Sequence, residues 1–143
     1  MRIVYSKISD DIHRVTITRS NGGTESVELE SRSYLRHDLA HYAIEREYPI
    51  HRGYWGCVAA GASLTGDGVS GSEAMFAETL AGPIQTLMRI EADLDAYARL
   101  LPPISEETGE PGLPERVHER IWQLNGHWKG TNFGKDMELE WPE

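Results

Sequence analysis

The chain has 143 residues, 39% hydrophobic and 26% charged, with a formal net charge of −9. That length suits one domain, residues 1 to 143, with a core that needs neither disulfide nor structural metal, and the composition is that of a globular chain rather than a fibrous or disordered one. Residues 1 to 53 carry eight basic and eight acidic side chains while residues 54 to 143 carry six and fifteen; such a surface repels phosphate backbones, so nucleic-acid binding is not expected.

Three runs near the N-terminus, "RIVYSKI", "HRVTITR" and "ESVELE", alternate with the period of two that marks half-buried strands. Asp10-Asp11 marks the first turn. "SNGG" is a strong signal for the second, because Asn and Gly tolerate positive φ. A three-stranded antiparallel meander follows.

The pattern then becomes helical. Ser33 is placed to cap a helix running to about Glu47, stopped at Tyr48-Pro49 because a residue before proline avoids the α region. "YWGCVAAG" reads as a short helix and leads into the glycine-rich "GASLTGDGVSGS". From Ser72, a second candidate cap, to about Leu101 the text is one helical region, with a kink or break expected at Gly82-Pro83. "PPISEETGEPGLP", residues 102 to 114, is a polar connection. It leads to a helix opened by Pro114 or Glu115 and closed by Gly126. In "KDMELEWPE" Met137, Leu139 and Trp141 alternate to one side, which predicts a further strand on the N-terminal sheet. The expected fold class is α+β: a small antiparallel sheet packed against about four helices.

Chemistry concentrates in "HDLAH", residues 37 to 41. At about 100° per residue, His37, His41 and Glu45 fall on one stripe of the helix together with Tyr34, Asp38 and Tyr48, while Leu35, Leu39 and Tyr42 fall on another that would face the core. Imidazoles four residues apart project from successive turns toward a common point, where both can bind one ion. Glu45, one turn on, and His51, just past the helix, are the nearest third ligands; His13, His118 and His127 are reachable only through the fold. The motif resembles the zinc-protease H-E-x-x-H, in which the Glu is the general base on metal-bound water. Here that position is Asp38, one methylene shorter, which suits a base of reduced reach or a partner holding an imidazole by its other nitrogen. A solvated helix face accounts for the same spacing without any metal.

Other candidates carry less. Cys57 among Trp, Val and Ala reads as a small buried hydrophobe before it reads as a nucleophile. "GASLTGDGVSGS" lacks the phosphate-loop Lys and contains Asp67, so it reads as a connector. Trp55, Trp122, Trp128 and Trp141 are core residues by default. No apolar run reaches the roughly 20 residues needed to span a bilayer, the N-terminal segment has no secretory pattern, and the single cysteine fits a reducing compartment. The expected location is the cytosol, away from membranes.

"SYLRHDLAHYAIE" and "RGYWGCVAAG" together resemble, over about residues 31 to 62, a family of small bacterial proteins with no assigned activity. The resemblance implies that the helix and the segment after it form one structural unit, with His37, Asp38, His41 and Cys57 in one region. The functional expectation is a His/Asp/Glu site on helix 33–47 for a divalent metal such as zinc or a small polar ligand, with His37, His41 and either Glu45 or His51 as ligands and Asp38 as base or supporting partner. The alternative is an interaction domain without metal, which contacts a protein partner through its acidic helix and exposed aromatic residues.

Overall fold

The computed structural model describes residues 1–48, 50–101 and 112–142; Pro49 and most of the connection expected over 102–114 lie outside them. Strands β1 (Arg2–Lys7), β2 (Ile12–Thr18), β3 (Thr24–Glu30) and β4 (Asp136–Glu140) form one antiparallel sheet in the order β3-β2-β1-β4. Five α-helices are described: α1 (Arg36–Glu47), α2 (Tyr54–Ala59), α3 (Ser72–Arg89), α4 (Leu94–Leu100) and α5 (Leu113–Lys129). The fold is α+β.

The alternation along the strands sorts the two faces of the sheet. Ile3 pairs with Ile17 and Tyr5 with Val15, and Met137 stands opposite Tyr5 on the other side; all five are fully buried. The opposite face is polar and carries the Arg14–Glu28 ion pair and the Thr16–Ser26 hydroxyl contact. The β2–β3 hairpin turns as expected at Ser20–Gly23. Gly22 has φ +86°, and the Asn21 side chain accepts from the Gly23 N–H.

On the buried face α1 lies among α2, α3 and α5. Every residue from Asp38 to Glu45 is buried, so Asp38, His41 and Glu45 of the polar stripe are enclosed together with the apolar one, while Tyr34 at its start is exposed. Fully burying a side chain such as Leu39 or Ile44 stabilises by roughly 1.5–3 kcal/mol. The C-terminal end of α1 is tied to α5 by Arg116 and Arg120, which both donate to Glu47, and Tyr42 donates its hydroxyl to the Glu140 carbonyl on β4.

Several helix ends lie elsewhere than the sequence predicts, α5 among them, which opens at Leu113 rather than at Pro114 or Glu115. A π-helical turn over Ser31–Leu35 precedes α1, and the cap is Glu30, whose carboxylate accepts from the Arg32 N–H, not Ser33. Gly71, without a side-chain cap bond, precedes α3 where Ser72 was expected to cap. Helix α3 runs through Gly82-Pro83, because both face solvent and the apolar contacts of Ala77, Leu80, Ala81 and Ile84 continue across them. The break comes instead at Ile90–Asp93, where Glu91 takes φ +51° and Asp93 caps α4 through the Ala96 N–H. Finally, α5 passes Gly126 and ends at Gly130.

Candidate metal centre

His37 and His41 occupy successive turns of α1, their ring centroids 4.7 Å apart. They meet a third side chain absent from the expected set: Glu78 of α3. His41 Nε2 lies 2.8 Å from Glu78 Oε2, and His37 Nε2 lies 3.5 Å from Glu78 Oε1. His37, His41 and Glu78 each offer one ligand atom, all within 4.8 Å of one another, close enough to hold a metal ion.

The other nitrogen of each imidazole is already committed. His41 Nδ1 lies 2.9 Å from Glu45 Oε2, and a carboxylate there can only accept, so Nδ1 carries hydrogen. His37 Nδ1 lies 3.2 Å from Gln85 Oε1. The Gln85 amide nitrogen donates to the Ser33 carbonyl, which identifies the oxygen as the atom facing His37 and again makes Nδ1 the donor. Both rings therefore turn Nε2 toward Glu78, with the tautomer that metal ligation needs already set by acceptors on the far side. Glu78 and Gln85 are seven residues apart on α3, one stripe of that helix. The contacts Ser33 and His37 to Gln85 and His41 to Glu78 run antiparallel.

Glu45 is the anchor behind the site. It is 3% exposed and receives, besides His41 Nδ1–H, the N–H groups of Tyr54 and Trp55 at 2.8 and 2.9 Å. The start of α2 can approach this closely because residue 53 is glycine: a Cβ at Gly53 would overlap the Glu45 carboxyl group. The Trp55 indole N–H donates back to the Asp38 carbonyl. Helix α2 and α1 are thus locked together through the carboxylate that orients His41.

The electrostatics follow from these contacts. His41 is 2% exposed, and burial alone would lower its pKa, but the hydrogen bonds and charges of Glu45 and Glu78 outweigh burial and hold it above the usual imidazole value. Without metal the ring lies between two carboxylates, both of which favour its protonated form. Glu78 has 62% of its side chain exposed, so the centre opens to solvent on the α3 side.

The expected residues thus separate. His37 and His41 face a common point. Glu45 stands on Nδ1 of His41, on the far side of the ring from Glu78. His51 is exposed and bound by its backbone N–H to Glu73, near the C-terminal end of α1. Asp38 is 7% exposed; burial pushes its carboxyl up to about 7, with His41 partly offsetting that, and its charge bears on Tyr5 and Tyr54. Cys57 is buried with its thiol toward the carbonyls of Arg52 and Ser70. Several N–H groups of the glycine-rich loop are spent within it or on Glu25, as in Leu64 to Glu25 and Ser63 to Asp67. Trp55 and Trp141 are buried and Trp122 is 72% exposed. Among the described residues, no helix is long and apolar enough to cross a membrane. No protein family, curated protein or solved structure matches the chain.

Proposed function

We propose that the protein binds one divalent transition metal through His37 Nε2, His41 Nε2 and a Glu78 carboxylate oxygen. The observation that carries this reading is the matched commitment of both Nδ1 atoms, to Glu45 and to Gln85, which leaves both Nε2 atoms facing one carboxylate. Two imidazoles and one carboxylate suit zinc, whose nitrogen and oxygen ligands sit at about 2.0–2.2 Å. Tetrahedral ligands at that radius are roughly 3.4 Å apart. Glu78 makes contacts of that order to both rings, 2.8 Å from Oε2 to His41 and 3.5 Å from Oε1 to His37. Binding would expel the proton that His41 otherwise shares with Glu78, so affinity rises with pH until that proton is gone.

Three protein ligands leave a coordination position for water or a small polar ligand, and the exposed Glu78 is the side from which it would arrive. Asp38 takes a supporting place here: a buried carboxyl beside His41 on the same helix. A second reading has its own support. His41 is fully satisfied by Glu45 and Glu78 alone, so the cluster also works as an ionic latch between α1 and α3 with no metal, in a domain that serves as an interaction module.

Metal content by plasma mass spectrometry on untagged protein purified without chelators separates the two. The metal reading expects about one equivalent of zinc or a similar ion, absent in His41→Ala and in Glu78→Ala. Glu45→Gln should keep the ligands and weaken binding by about 10–100-fold. No metal in the wild type, with no rise in Tm on adding zinc, leaves the latch.

A further inference from the structure

The last turn of α1 carries a feature that the metal reading does not use. A cavity of about 440 Å³ opens there, bounded by the end of α1, by α2 and by Trp141–Pro142. Arg46 lines it, partly buried, with its Nε enclosed and lacking a hydrogen-bond partner. Arg46 forms no ion pair among the described residues, although it sits between two glutamates. The reason is helical geometry: neighbours point about 100° apart. Glu45 turns to His41 and the α2 N–H groups, and Glu47 turns to Arg116 and Arg120 on α5.

Tyr48 forms another wall. It is 4% exposed, and its hydroxyl also lacks a partner. Burial pushes that hydroxyl up to about 12, so it keeps its proton and remains a donor. Ser20 and His51 add polar groups, and Trp141 and Ala60 add apolar surface. The carboxylate in the lining, Glu45, already accepts three N–H bonds and leaves the guanidinium unneutralised. A guanidinium has donors and no acceptor, and an enclosed donor without a partner is costly. What the cavity lacks is an acceptor bearing negative charge.

We propose that this cavity binds a small organic oxyanion, a carboxylate or phosphate on a compact apolar group, with Arg46 as its anchoring cation and Tyr48 beside it. A planar guanidinium meets a carboxylate or phosphate with two parallel hydrogen bonds, which a lysine could not reproduce. The acidic surface supplies no long-range attraction for an anion, so selection rests on this local pairing and on the apolar wall.

Amide NMR titrations of chelator-treated protein test this independently of the metal centre, with inorganic phosphate, acetate and benzoate as separate probes. Saturable shifts at residues 46, 56 and 60 are expected, with the Kd raised about tenfold by Arg46→Gln and about threefold by Tyr48→Phe. A preference for benzoate assigns the ligand as a carboxylate with an apolar body, and a preference for phosphate assigns a phosphate. Absence of saturable binding by all three probes, or equal binding by Arg46→Gln, overturns the proposal. Should Arg46→Gln fail to fold, Tyr48→Phe decides, because unchanged affinity in that folded variant overturns it too.

Discussion

Two histidines in this fold are almost wholly buried and behave in opposite ways. His41, on α1, lies between the carboxylates of Glu45 and Glu78 and is held above the ordinary imidazole pKa. His13, on β2, is 0% exposed, donates or accepts only at Nδ1 with the Ser31 hydroxyl, and leaves Nε2 without a partner among the rings of Tyr5 and Trp128. Burial lowers its pKa to about 4. Burial alone thus yields a neutral structural histidine, while burial with a charged acceptor on each nitrogen yields a ring whose protonated form is favoured.

The comparison breaks most severely if the anchor is removed. Glu45→Ala strands the His41 ring and the N–H groups of Tyr54 and Trp55, and denaturant unfolding of metal-free protein should show a loss of about 3–5 kcal/mol. A loss below 1 kcal/mol would mean that the cluster does not organise α1 and α2. Asp38 gives the next effect. Its folded pKa of about 7 lies above the unfolded value of roughly 3.9, so its contribution is complete below pH 4 and is lost as pH rises toward 7. Asp38→Asn should therefore raise the stability of metal-free protein at pH 8, by at most about 4 kcal/mol, with little change at pH 4.

His13 runs the other way. Its folded pKa lies below the unfolded value, so the folded state binds fewer protons, and stability present above pH 6.5 is lost as pH falls toward 4. The loss is about 3 kcal/mol at full extent. His13→Phe should flatten the pH dependence of unfolding over that window, and an unchanged slope would show that other groups carry it. The smallest effect sharpens the comparison at His41. Gly53→Ala pushes a Cβ into the Glu45 carboxyl group, and should cost about 1–3 kcal/mol while weakening zinc binding through His41, as read by competition with a chromophoric chelator.

Much of this architecture is legible in the chain itself. Alternation alone marks β1, β2 and β3, the Asn-Gly-Gly turn joins two of them, and Met137 and Leu139 mark β4. These signals are local, and short-range sterics and one buried sheet face enforce them. The four-residue spacing also places His37 and His41 side by side, because helix pitch is a property of the backbone. The boundaries that failed did so where packing overrides local preference. Pro83 faces water and its helix continues along a buried apolar stripe, while Asp93 caps a helix that no glycine announced.

The site itself needed the tertiary structure. Glu78 and Gln85 come from a helix some forty residues further on, and only the antiparallel packing of α3 on α1 brings them to the two imidazoles. Spacing could nominate Glu45 as a ligand, since it shares a helix stripe with His41, but which ring nitrogen it meets depends on side-chain direction within a packed interface. Whether a helix stripe is solvated or enclosed is likewise a property of its neighbours. Here α2, α3 and α5 surround α1, and burial is what turns a polar stripe into a set of paired, oriented groups.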